Sequence, residues 1–172
     1  MTGSTTFRLG DLTGGPLSLH LVPDEVERAG LALRLGLEGL PKLVAHLEVR
    51  PWLDGCEVRG RFEGEVIQVC GLSLEAFSQP ISGDIDLRLV PKGSPNLPAE
   101  AGDGEVEISL ESPDPPDVLD GDAVDVEVIL EEHLALAIDP FPRRPDAVFD
   151  WNAGPDTTSP FAALNALKDK RP

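Results

Sequence analysis

Apolar and polar residues alternate with a period of two along two adjoining stretches of the chain. Leu43, Ala45, Leu47 and Val49 are interleaved with Val44, His46, Glu48 and Arg50. After Pro51-Trp52-Leu53-Asp54-Gly55, residues Cys56, Val58, Gly60 and Phe62 are interleaved with Glu57, Arg59, Arg61 and Glu63. In an extended chain that period puts like residues on one side, so the two runs predict an antiparallel hairpin with one wet face. At Gly64 the phase blurs. Val66, Ile67 and Val69 place apolar groups on both faces, which predicts a bend or a buried stretch. Ile85, Leu87 and Leu89 between Asp84, Asp86 and Arg88 predict a third strand. Val106, Ile108 and Leu110 between Glu105, Glu107, Ser109 and Glu111 predict a fourth, with a polar face almost wholly of carboxylates.

Helical spacing appears in three places. Pro23 suits a first helical position, Asp24 and Glu25 complement the N-terminal dipole and Gly36 suits the stop. Between them Val26, Ala29, Gly30 and Leu33 fall on one side, which predicts a helix covering a flat partner. Asp120-Gly121-Asp122 leads into a second helix, with Val126, Leu130, Leu134 and Ala137 at helical spacing until Pro140 stops it. From Val124 to Ile129 the β-branched residues leave helix and strand in competition. Near the end, Ser159 is a good N-cap, Pro160 a good first-turn residue, and Phe161, Leu164 and Leu167 form a short apolar stripe. So short a helix is not stable alone and must dock on this protein or on a partner.

The pattern amounts to an α+β fold, an antiparallel sheet of about four or five strands covered by two helices, with a short C-terminal helix at 160–168. Residues 1–150 form a single domain with an acidic loop near 91–104, and 151–172 a flexible tail.

Charge sharpens this picture. The 172 residues carry a net charge of −17, and 99–150 hold sixteen acidic residues against two basic ones, so that segment alone accounts for −14. Phosphate backbones repel such a chain unless it segregates a basic face, and a basic protein is the better electrostatic partner. Arg59 and Arg61 share one face of the second strand, with Arg50 on its neighbour, which is the one candidate RNA-binding patch. Glu48, Glu57 and Glu63 share that face and favour cross-strand ion pairing instead.

Catalytic machinery is not evident. His20, His46 and His133 are scattered without Cys or carboxylates at ligand spacing, so no metal or cofactor is expected. Cys70 has no positive neighbour in the chain to activate it. If one strand joins Cys56 to Cys70, the two are too far apart to bridge. Paired carboxylates such as Asp84 with Asp86 raise the alternative of a small carboxylate-dependent hydrolase, which would need two acids converging in an apolar cleft. The first residues lack the basic start and apolar core of a signal peptide, no apolar run approaches a membrane span, and a cytoplasmic location without membrane contact is expected.

The order of three motifs carries a family resemblance: Val69-Cys70-Gly71-Leu72-Ser73-Leu74-Glu75-Ala76-Phe77, then Val124-Asp125 through Ile129-Leu130-Glu131-Glu132-His133-Leu134-Ala135-Leu136 to Pro140-Phe141-Pro142-Arg143, then Ser159-Pro160-Phe161-Ala162-Ala163-Leu164. The chain resembles the YceD family, also described as large ribosomal RNA subunit accumulation proteins, in a form like its alphaproteobacterial variant. Many members carry Cys-x-x-Cys in the central motif; here Cys70 stands at the first position and Ser73 at the second. The resemblance implies a non-enzymatic role in accumulating large-subunit ribosomal RNA. Combined with the charge, it suggests a basic ribosomal protein or assembly intermediate as partner. The residues expected to meet that partner are Glu105, Glu107, Asp125, Glu131 and Glu132 of the acidic segment, Arg143 and Arg144, and Phe161 and Leu164.

Overall fold

The structure is a computed structural model that describes residues 5–97 and 114–149. In chain order it contains β1 (Thr6–Arg8), a 3-10 helix (Leu9–Gly14), β2 (Leu17–Leu21), α1 (Glu25–Arg34), β3 (Gly39–Trp52), β4 (Gly55–Val69), β5 (Ala76–Pro91), β6 (Asp117–Leu119), β7 (Ala123–Asp125) and α2 (Val126–Ala137). Five strands form one sheet in the order β2-β3-β4-β5-β6, and β1 pairs with β7 in a second, two-stranded sheet. All pairings are antiparallel except that of β5 with β6. The architecture is therefore α+β, and the expected four or five antiparallel strands become a mostly antiparallel sheet of five.

The alternation of β3 and β4 is realised in the sheet. Leu43, Ala45, Leu47 and Val49 of β3, with Val58, Phe62 and Val66 of β4, are buried and form the centre of the core. Trp52 pairs with Gly55, leaving Leu53 and Asp54 as a two-residue turn. Leu53 takes a positive φ of 54°, in keeping with the tight hairpin geometry of such turns. Asp54 is fixed in turn by Ser94 Oγ and Asn96 Nδ2, each donating at 2.9 Å.

β4 neither ends nor bends out of the sheet at Gly64. It continues to Val69 with Gly64 paired to both Leu43 and Ile81. Val66 and Gln68 point inward, and Gln68 tolerates burial because its Nε2 donates to the Asp139 carbonyl at 3.0 Å while its Oε1 accepts from Gln79. The third strand is also longer than its alternation suggests, running from Ala76 rather than from the Asp84 region.

α2 covers one side of this sheet through Val126, Ile129, Leu130 and Leu134, all buried; Ala137, expected on the same stripe, is exposed. The competition between helix and strand before it is settled residue by residue. Val124 pairs with Phe7 across the small sheet, and Asp125 turns the chain into the helix by accepting from Glu127 N and Val128 N.

α1 begins as its acidic start suggests, with Asp24 and Glu27 forming a reciprocal capping box. The face it buries differs from the expected one. Ala32 is buried and Leu31 and Leu35 are half-buried, whereas Val26 and Leu33 are 80% and 83% exposed. Arg28 fixes this orientation by donating to the carbonyls of Leu40 (3.1 Å) and Pro23 (2.6 Å).

The expected fourth strand at 105–111 and the expected C-terminal helix at 160–168 lie outside the described residues.

Candidate functional site

Two surfaces gather most of the candidate residues that are described. The first is a groove of about 770 Å3 between β2, α1 and α2. Leu19, Leu21, Leu31, Leu130 and Leu134 line its interior, and Asp24, Glu27, Asp125, Glu127 and Glu131 contribute carboxylates. Two of the expected partner-binding acids meet here, each with a structural task. Asp125 caps α2, and Glu131 forms a bidentate pair with Arg34 of α1 at 2.8 and 2.7 Å. The Arg34 guanidinium donates to that carboxyl and holds it below the usual carboxylate range. Glu132 sits elsewhere on α2, exposed and without an ion pair among the described residues. Glu127, at i−4 from Glu131, is the acid that helical spacing should have added to the candidate set.

The second surface is the open face of the sheet. Register sets His20, His46, Arg61 and Asp84 in one row across four strands, and Ser18, Glu48, Arg59 and Asp86 in the next. His20 and His46 stack with ring centroids 4.3 Å apart and 9° between planes. Arg50 is paired with Glu48 at 2.8 Å, and Arg59 with Glu57 at 3.0 Å and Asp86 at 3.3 Å. Arg61 has no ion pair among the described residues. Two of the three candidate RNA-binding arginines thus have their charge matched by neighbouring carboxylates. The histidine stack needs the β2–β3 register, which the spacing of His20 and His46 does not reveal.

Arg143 and Arg144 lie on a strap that follows α2 and crosses the end of the β4–β5 hairpin. Gly71 N donates to the Pro142 carbonyl at 2.9 Å, and Arg144 Nη1 donates to Glu75 Oε2 at 2.6 Å. Arg144 Nε also pairs with Asp146 at 2.7 Å, while Arg143 is exposed and has no ion pair among the described residues.

Under the strap lies Cys70, fully buried. Its Sγ accepts from the backbone N–H groups of Leu72, Ser73 and Arg144, each at 3.4 Å. The Ser73 hydroxyl, followed by the amides of Ser73 and Arg144, lowers the thiol to a pKa of about 6, whereas burial alone pushes Cys56 up to about 11. The chain neighbours of Cys70 give no hint of this, because one donor comes from 74 residues away. Both cysteines are free. Glu105, Glu107, Phe161 and Leu164 lie outside the described residues.

Among the described residues no group of three or more His, Cys, Asp or Glu side chains is placed to hold a metal ion, and no helix is long and apolar enough to cross a membrane.

Fold and surfaces together define a small α+β protein built on long antiparallel strands, with an acidic groove on its helical side and a largely ion-paired face on the other. The family model described as Large ribosomal RNA subunit accumulation protein YceD matches residues 58–168, well over half of the chain, and the chain belongs to that family. Membership supports a ribosome-related role, under a name that refers to accumulation of RNA rather than to an enzymatic activity. Nothing matches among curated proteins, nor among solved structures.

Proposed function

We propose that the protein supports accumulation of large-subunit ribosomal RNA without catalysis, by holding a basic ribosomal protein or an assembly intermediate against its acidic surface. The observation that carries this reading is the concentration of negative charge, −14 of −17 within residues 99–150, in a chain of a ribosomal RNA accumulation family. Complementary potentials of this kind accelerate encounter and suppress wrong pairings. The binding surface comprises Glu105 and Glu107 with Asp125 at the N-cap of α2 and the acids Glu127, Glu131 and Glu132 of that helix. Among the described residues the carboxylates of Glu127 and Glu132 have no ion pair, whereas Asp125 and Glu131 serve the cap and the Arg34 pair.

The protein reading is preferred over direct RNA binding through Arg50, Arg59 and Arg61 because Glu48, Glu57 and Asp86 neutralise two of those arginines. It is preferred over a hydrolase because Asp84 and Asp86, the pair that raised that alternative, are exposed on the open face of the sheet rather than converging in an apolar cleft, with Asp86 paired to Arg59 at 3.3 Å.

A tagged pull-down at low and moderate salt, with and without ribonuclease, tests the proposal. The expected result is recovery of a basic large-subunit protein that withstands ribonuclease, weakens with salt and drops in the double variant Glu127→Lys, Glu132→Lys. Recovery abolished by ribonuclease, or indifferent to salt, would overturn it.

A further inference from the structure

Two adjoining surfaces that carry exposed apolar side chains are left open by the described residues. One is the groove between α1 and α2, where Val128 is 49% exposed. The other is the outer side of α1, with Val26 and Leu33 almost wholly open and Val22 57% exposed at its start. Contiguous exposed apolar surface of this kind marks a contact. The groove's charged groups are mostly acidic: among the described residues Arg34 is the one Lys or Arg that lines it, and it is already paired with Glu131. An occupant has to be apolar along one side and cationic beyond it.

We propose that this occupant is the C-terminal segment 159–171 of the same chain, docked as a short helix along α1 and across the groove. Phe161, Leu164 and Leu167 supply an apolar stripe at helical spacing, and Lys168, Lys170 and Arg171 follow it. The other long stretch outside the described residues, 98–113, has five carboxylates and no Lys or Arg, the same sign as the rim. A helix of ten residues is about 15 Å long, which matches the ten residues of α1. At Gly30 a Cβ would meet only Arg34 Nη1, at 3.5 Å, so an aromatic ring can approach the α1 backbone there.

The segment reaches the groove. The chain is held at Arg144 by Cys70 and Glu75. The path from there back to Asp139, and along α2 to its start, is at most about 18 Å plus about 18 Å. Residues 144–147 are held in a turn, with Ala147 N donating to the Arg144 carbonyl at 3.0 Å, so the length left to reach the groove is the ten residues from Phe149 to Ser159, about 35 Å, the same order as that path. Tethering also raises the segment's effective concentration to the mM range, which offsets the weakness of a single short helix. The inference does not rest on the ribosomal reading.

NMR of the full-length chain with labelled Val and Leu methyls tests it. Expected are nuclear Overhauser contacts from the Phe161 ring to the methyls of Val26 and Val128, and loss of the corresponding ring-current shifts in Phe161→Ala. Val26→Glu, on a solvent-facing position, should displace the Phe161 ring resonances in the same way. A sample mixing labelled and unlabelled chains identifies whose segment is bound. Contacts found only between different molecules would assign the groove to a second copy and overturn the proposal. Methyl shifts at Val26 and Val128 that are unchanged in Phe161→Ala would also overturn it, leaving the groove for a foreign partner.

Discussion

Cys56 and Cys70 bracket one strand and occupy opposite electrostatic settings. Around Cys70 three amides and a hydroxyl favour the thiolate, and its pKa falls from an ordinary value near 9 to about 6. A lowered folded-state pKa contributes stability that is complete above the unfolded value and is lost as pH falls through the folded one. The wild-type urea midpoint should therefore rise between pH 6 and pH 9 relative to that of Cys70→Ala, and thiolate ultraviolet absorbance should show a step near pH 6 that only Cys70→Ala removes. An absent step would mean that the amides hold a neutral thiol. At Gly60 backbone space is the constraint: a Cβ would lie 2.1 Å from the His46 carbonyl oxygen and 2.8 Å from Leu47 Cα. The ladder between β3 and β4 leaves that carbonyl nowhere to go, so Gly60→Ala should cost about 3 kcal/mol or more in denaturant unfolding. Gly10→Ala, with nothing within 4 Å, should stay within about 0.5 kcal/mol.

Among the elements, α2 is the one whose parts make separable contributions. Asp125→Ala removes the cap at its entry and should cost about 1 kcal/mol. Leu134→Ala opens a void at a fully buried position and should cost about 2–5 kcal/mol, both read from denaturation midpoints. The long strands and both helices were legible in the sequence because their periods run for six residues or more, although in β4 and β5 the strand extends well beyond its clean alternation. β2 also carries the signal, with Leu17, Leu19 and Leu21 around Ser18 and His20, whereas β1, β6 and β7 span three residues each and are too short for any period to show. The packed face of α1 was not legible for a different reason. The helix has two apolar arcs, Val26-Ala29-Leu33 and Leu31-Ala32-Leu35, and periodicity alone does not say which one meets the sheet. The same limit applies to the groove, whose acids come from three elements, and to the Cys70 site, whose donors are joined only by the strap. The ion pairs of Arg50 and Arg59 were legible, since alternation alone sets them beside carboxylates.

For the molecule as a whole, charge sets the response to solvent. A net charge of −17 makes the compact state repel itself, and salt screens that repulsion over about 10 Å at 0.1 M. Raising monovalent salt from about 10 mM to about 150 mM should raise the melting temperature, while it weakens capture of a basic partner. A melting temperature that falls with salt would show that the nine ion pairs among the described residues outweigh the net repulsion.

The pairing of Phe7 with Val124 has a consequence for the making of the protein. Phe7 is synthesised 117 residues before its partner, roughly 6 to 23 s earlier at about 5–20 residues per second. In that interval β2 to β5 can zip up through neighbouring hairpins, but β1 has no strand to join, and the side of the sheet that α2 will cover stays open. Closure comes late and nearly at once, when β6, β7 and α2 emerge together and both sheets are completed by one stretch of about twenty residues. The nascent chain therefore passes through a half-built stage with a bare apolar floor, and it is at that stage that a chaperone or a wrong neighbour would find it.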